Sequence, residues 1–241
     1  MKKALPYILS VSLFAYLIIV LTFASTKLGK VKCRDVQVVV DDTGENAFID
    51  EEDVLQLIKR NYGELKDVDI VSIDKDSMEC VLVRNSVIKS AQVYYNLDGR
   101  FHVEITQRRP VLRVMSGEGY YVDEDGTVMP LSGKYTSRVV VATGNISKDF
   151  ACKGLYPFVM KLRKDDFWDA LIEQIMVADG NEVTLIPKVG NFRIVLGELE
   201  HADRKMENLR LFLRDGIALK GWNVYKEINL KFEDQIVCVK R

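Results

Sequence analysis

Ala91-Gln92-Val93-Tyr94-Tyr95-Asn96-Leu97-Asp98-Gly99-Arg100-Phe101-His102-Val103-Glu104-Ile105 alternates apolar and polar side chains on either side of an Asp-Gly pair. A period of two belongs to a strand with one buried face, and Asp-Gly supplies the positive φ that a tight hairpin turn needs. The residues before it have a different period. Met78, Val81 and Leu82 are spaced for a helix over about Ile73 to Val83, with Asp74 or Ser72 as its cap. Further upstream, Asp50 can cap a helix whose first turn carries Glu51, Glu52 and Asp53, with Val54, Leu55 and Ile58 on one face. Val36 to Val40 is a β-branched run ended by the turn residues Asp41-Asp42-Thr43-Gly44. The order is therefore strand, helix, helix, strand, strand. Two helices can cover one face of such a three-stranded sheet and close a small core.

Toward the N-terminus, Ala4 to Ala24 is a 21-residue run without a charge. As a helix it would reach roughly 31 Å, about one hydrocarbon thickness. It is longer than the apolar region of a cleaved signal peptide, so a retained anchor is expected, with residues 1–3 as a short tail. Orientation stays open on charge alone. Lys2 and Lys3 oppose Lys27, Lys30, Lys32 and Arg34, and a large translocated domain can override flanking lysines.

Downstream of Arg108-Arg109-Pro110 the chain turns mostly to strands. Gly119 to Val122 and Thr127 to Met129 flank Asp125-Gly126 as a second hairpin. Arg138 to Ala142 reads as a strand, and Leu155 to Leu162 and Phe167 to Ile175 as helices. Val183 to Ile186 pairs with Phe192 to Leu196, and Glu200 to Arg214 is helical through Met206, Leu209 and Leu213. Glu227 to Phe232 and Gln235 to Val239 close the chain as two strands. The class is α+β, with a mainly antiparallel β domain carrying helices in the second half.

Composition excludes several functions. The overall charge is −1, and the four lysines of the first 30 residues, unaccompanied by acid, leave the remainder at −5, which argues against a basic nucleic-acid surface. Cys33, Cys80, Cys152 and Cys238 contain no CxxC pair, and the apolar neighbours of Cys80 and Cys238 suggest buried structural thiols, with a disulfide as the alternative. His102 and His201 belong to no metal-ligand spacing. Ser72-Ile73-Asp74-Lys75 matches the SxxK spacing but lacks the SDN and KTG elements that accompany it in penicillin-recognising enzymes. The acidic groups at Asp41-Asp42, Glu51-Glu52-Asp53 and Asp123-Glu124-Asp125 fall at turns or a helix start and lack the calcium-loop pattern. The reading is of a non-catalytic interaction protein with no catalytic, metal or cofactor residue and no small-molecule substrate.

Several segments in order then carry a resemblance: Ala47-Phe48-Ile49-Asp50-Glu51-Glu52, the hairpin from Ile88 to Ile105, Gln107-Arg108-Arg109-Pro110-Val111, Tyr120-Tyr121-Val122-Asp123-Glu124-Asp125-Gly126, Met129-Pro130-Leu131, and Ile228-Asn229-Leu230-Lys231-Phe232. Together with the apolar run, they make the chain similar to the bacterial cell-division family FtsQ/DivIB over nearly its whole length. The resemblance implies a transmembrane anchor at 4–24, a POTRA domain at 33–108 and the family's β domain at 111–241. It implies an N-in inner-membrane protein with both domains in the periplasm at the division septum. It also implies FtsB/FtsL-like partners, a septal synthase pair like FtsW/FtsI beyond them, and strand addition at the last β strand. The surface carried over for that contact is Phe232, Gln235, Ile236, Val237, Cys238 and Val239. Alternation would turn Ile236 and Cys238 one way and Val237 and Val239 the other, and a proline at Val237 is expected to remove an edge N–H. The competing expectation is a POTRA-bearing component of secretion or outer-membrane assembly.

Overall fold

The computed structural model describes residues 5–28, 31–41, 47–96, 98–217, 221–232 and 235–241. The expected three-residue tail, the first residue of the expected anchor (Ala4), Asp42-Thr43-Gly44 of the expected turn and the expected joint at Glu233-Asp234 lie outside them. Leu5–Leu28 is a single 24-residue helix, α1. Its described side chains, 10–22, are all exposed and too short a stretch to cross a membrane by themselves. Among the described residues no helix is long and apolar enough to cross a membrane.

The chain divides into two units, 1–107 and 108–241. In the first, β1 (Asp35–Asp41), α2 (Glu51–Tyr62), α3 (Lys75–Val83), β2 (Ile88–Tyr95) and β3 (Arg100–Gln107) follow the expected order. β3 lies in the middle of the sheet, parallel to β1 and antiparallel to β2. The helices form where the caps put them. The Asp50 carboxylate accepts the N–H of Asp53 at 2.9 Å while Asp53 accepts that of Asp50 at 3.2 Å, closing a capping box. Asp74, not Ser72, caps α3 by accepting the N–H of Ser77. Val38, Val54, Ile58, Met78, Leu82, Phe101, Val103 and Ile105 are buried together between helices and sheet.

Gln107, at the end of β3, is a buried polar side chain in this unit. Its Oε1 accepts the N–H groups of Phe48 and Ile49 at 3.0 and 3.1 Å. It thus anchors the loop that delivers the chain to α2. A buried N–H without a partner is costly, so this amide substitutes for a missing strand neighbour.

The second unit holds β4 (Pro110–Met115), β5 (Tyr120–Asp123), β6 (Val128–Pro130), β7 (Val140–Gly144), α4 (Lys148–Phe150), a π-helical turn (Ala151–Leu155), α5 (Tyr156–Arg163), α6 (Asp166–Leu171), β8 (Ile172–Ala178), β9 (Glu182–Pro187), β10 (Arg193–Gly197), α7 (Ala202–Leu211), β11 (Tyr225–Asn229) and β12 (Val237–Lys240). The nine strands form one sheet in the order β12-β11-β10-β9-β8-β7-β4-β5-β6. It is more mixed than expected. β4–β7, β7–β8 and β10–β11 are parallel; helices carry the chain over the sheet after β7 and β10, and the β5–β6 hairpin with its following loop lies between β4 and β7. Leu155, Phe158, Trp168, Met206 and Leu209 of those helices pack on Ile175, Leu185, Ile194 and Ile228.

One expected helix is overturned. Phe167 to Ile175 was spaced for a single helix, but the helix ends at Leu171 and Ile172–Ala178 is a strand hydrogen-bonded on both sides. Trp168, Leu171, Ile172 and Ile175 satisfy a helical period by coincidence. Ile175 and Val177 in fact share a strand face, and two flanking ladders outweigh a weak local propensity. Cys80 is also not buried. It faces solvent on α3, and all four cysteines are free thiols.

The acidic turn at 123–125 is structural. Asp123 is fully buried, its Oδ2 pairing with Arg108 at 2.8 Å and its Oδ1 accepting the N–H groups of Asp125 and Thr127 at 3.0 and 2.7 Å. Gly99 and Gly126 of the two Asp-Gly turns take φ of +90° and +77°. A Cβ on Gly126 would meet the Tyr156 ring at 3.1 Å, and that tyrosine donates its hydroxyl to the carbonyl of Glu124 at 2.6 Å.

Two substitutions test these polar anchors by chemical denaturation of the full chain. Gln107→Ala orphans two buried N–H groups and should cost the first unit about 1–3 kcal/mol. Asp123→Ala leaves Arg108 without its buried partner and should cost the second unit about 3 kcal/mol or more.

Candidate functional site

β12 is the last strand of the large sheet and, among the described residues, pairs only with β11, antiparallel, with Asn229 opposite Val237, Ile228 opposite Cys238 and Glu227 opposite Val239. A bulge between Tyr225 and Glu227 lets Lys240 face Tyr225. The far end of β12 is held by Arg241, whose N–H donates to the Val224 carbonyl at 3.2 Å and whose guanidinium reaches the Asn191 carbonyl.

The register determines which main-chain groups are free. Leu230 donates its N–H to the Val195 carbonyl of β10 at 2.8 Å, so Leu230 and Ile228 face β10 while Asn229 and Glu227 face β12. Val237 and Val239, paired with those two, turn their N–H and C=O groups inward. The inward N–H of Arg241 has the same parity. Cys238 and Lys240 therefore present their N–H and C=O groups outward. A proline at Val237 would break the native ladder, so the edge N–H groups to block are those of Cys238 and Lys240.

Side chains alternate as expected. Ile236 and Cys238 pack against the core, while Val237 and Val239 are 39% and 38% exposed on the opposite sheet face. Beside Val239 on that face lies an ion pair between Arg193 and Glu227 at 2.8 Å. Phe232 is 50% exposed. With Gln235 and Ile236 it forms one wall of a groove of about 410 Å³, whose opposite wall carries His201, Lys205 and Asn208. Lys205 is fixed there by donating to the carbonyls of Leu196 and Glu198 at 3.1 and 2.8 Å.

The six residues read from sequence thus fall on three surfaces. Phe232, Gln235 and Ile236 line the groove, Val237 and Val239 lie on the open sheet face, and Cys238 points inward. Lys240 was missed. Nothing in its side chain marks it, and its contribution is a main-chain orientation that only the register reveals. Burial pushes the Cys238 thiol up from its ordinary value, and the same cause acts first on Cys33 and Cys152.

No metal site accompanies this edge, since no group of three or more candidate ligands occurs among the described residues. Ser72 donates its hydroxyl to the Asp69 carbonyl at 2.6 Å, and Lys75 lies over the Tyr95 ring at 5.0 Å, so the SxxK spacing brings no base to the serine.

A three-stranded β-α-α-β-β unit followed by a nine-stranded mixed sheet defines a two-domain α+β protein. Family models agree. Residues 31–106 match the POTRA-like domain, and residues 109–239 match the model described as FtsQ/DivIB, C-terminal related. The chain belongs to the FtsQ/DivIB family, a non-catalytic, division-associated scaffold family. No individual curated protein matches it.

The thiols give a direct check on this geometry. In the full-length protein iodoacetamide should modify exposed Cys80 first. Cys238 should lag, and its rate should keep rising above pH 9, because a raised pKa leaves less thiolate at any given pH. Faster modification of Cys238 than Cys80 at pH 7.5 would contradict the inward placement of its side chain.

Proposed function

We propose that this protein is a membrane-anchored scaffold of the bacterial division machinery that captures an FtsB/FtsL-like complex by strand addition at β12. The observation that carries this reading is a singly paired last strand, bearing exposed valines and an adjoining groove, in a chain of this family. The apolar run at 4–24 serves as the inner-membrane anchor, N-in, and both folded units work in the periplasm at the septum. Through the captured complex the scaffold recruits a septal synthase pair like FtsW/FtsI. The second unit's strands, three to seven residues long and interrupted by helices, are short for a transmembrane barrel, which disfavours an outer-membrane assembly role.

Magnitudes say how such capture must work. Cys238 and Lys240 offer two N–H and two C=O groups. At about 0.5–1.5 kcal/mol each they contribute about 2–6 kcal/mol. Lost translational and rotational freedom costs about 4–15 kcal/mol. Main-chain bonding therefore sets direction and register, while Phe232 and the valines supply the rest by burial. Tethering to one membrane also raises the partner's effective concentration.

The test is capture of the FtsB/FtsL-like complex by the full-length protein. Lys240→Pro and Cys238→Pro should each weaken it at least tenfold, since an edge proline removes an outward N–H that folding does not use. Phe232→Ala should weaken it about 10- to 100-fold, the scale of a lost aromatic anchor. Val237→Pro should instead lower the stability of the second unit. Undiminished capture by both edge-proline variants would overturn the reading.

A further inference from the structure

The second unit covers only one face of its sheet with its own helices, and we infer that the other face, over β4, β7 and β8, receives an acidic amphipathic helix of a partner protein. This inference is independent of the β12 reading.

α5, α6 and α7 pack on one side of the sheet, against residues such as Leu112, Ala142, Ile175 and Leu185. Alternation sends Met115, Thr143, Met176, Thr184 and Val195 to the other side, where the register sets them opposite one another in a row without a charge. Met115 and Met176 are 45% and 47% exposed. β4, β7 and β8 are mutually parallel, and parallel strands are ordinarily covered on both faces. A methionine-bearing row on such strands is suited to contact, because methionine adapts its shape to an incoming apolar side chain.

The main chain of these strands is already used. β7 pairs with β4 and β8, β4 also with β5, and β8 also with β9. Recognition therefore falls to side chains, which rules out an added strand. A helix fits, since it satisfies its own main chain and turns its side chains outward onto a sheet face.

Charge selects which helix. Arg113 lies on this face two residues before Met115, with its guanidinium over the Tyr121 ring at 5.7 Å. Its Nε is enclosed without a hydrogen-bond acceptor, and among the described residues it has no carboxylate partner. A half-buried cation without an anion is costly, and a bidentate carboxylate offsets that cost. Glu227 and Glu182, which alternate onto this face from β11 and β9, are already paired with Arg193 and Lys231. To reach Arg113 with either, a second copy would have to break a pair. The spacing is also helical. The rows of Arg113 and Met115 are about 6.6 Å apart along the strand, and four residues of helix rise about 6 Å. A helix running along β7 with a glutamate one turn from a leucine meets both rows.

The probe is a fluorescein-labelled peptide of sequence Leu-Ala-Gln-Leu-Glu-Ala-Ala-Leu-Gln-Ala-Leu-Glu-Ala-Ala-Leu, with a Gln-for-Glu version as control. Both are titrated by anisotropy at low salt against the full-length protein in detergent, with protein-free detergent as the blank. The Glu peptide should saturate, at least tenfold tighter than the Gln peptide. Arg113→Gln should erase that difference, and Met176→Glu should weaken the Glu peptide at least tenfold. Arg113→Glu should reverse the preference toward a Lys-for-Glu version, which keeps the test decisive should Arg113→Gln act by misfolding. Equal binding of the Glu and Gln peptides, or no saturable binding up to about a millimolar, would overturn the proposal. So would a dimer in sedimentation equilibrium that Met176→Glu dissociates, which assigns the face to a second copy. Lys240→Pro should leave the affinity unchanged. If it abolished binding, the peptide would be reading β12, and this proposal would fail while the scaffold reading stood.

Discussion

An open β-sheet cannot pair the outward main-chain groups of its outermost strands, and this constraint organises the whole protein. Two sheets give four edges. On the β2 edge the Glu79 carboxylate takes the N–H of Val93, and β6 is blunted by a length of three residues ending in Pro130. β1 and β12 remain, and each is open beside a groove with exposed apolar side chains. A chain that leaves edges unpaired risks aggregation, and the open β12 edge is what the proposed strand addition would cover.

Everything beneath these edges serves to hold them rigid. The nine-stranded ladder fixes the register of β12, while the Asp123–Arg108 pair holds the turn between β5 and β6 and the Gln107 amide holds the loop before α2. The segments that carry the family resemblance, around Gln107 and Asp123, therefore act on folding. The contact surface depends on main-chain geometry, which constrains its side chains less.

Much of the fold was legible because local signals agreed. Both Asp-Gly hairpins form where expected, Asp50 and Asp74 cap their helices, and β11 pairs with β12. The failures have a common origin in non-local pairing. Ile172 and Ile175 suit either a helix or a strand, and only β7 and β9 on either side decide between them. The parallel pairs of the large sheet depend on crossovers that leave no local trace. At the site, alternation along 236–239 was readable, whereas the parity of the N–H groups was not. It depends on the bond from Leu230 to Val195, two strands away from the open edge. The exposure of Cys80 was equally hidden, since apolar neighbours on a helix say nothing about the face a residue occupies.

The function follows from placement more than from chemistry. On the proposed reading, a tethered module with an open edge converts a weak strand contact into stable capture, because its partner is held at the same membrane. The central claim is that β12 receives a partner strand through the outward groups of Cys238 and Lys240. Residue-resolved amide hydrogen exchange on the full-length protein, with and without the FtsB/FtsL-like complex, tests it most directly. The account predicts slow exchange at Val237 and Val239 in both states, and fast exchange at Cys238 and Lys240 that slows on binding. Unchanged exchange at Cys238 and Lys240 in the bound state would contradict it.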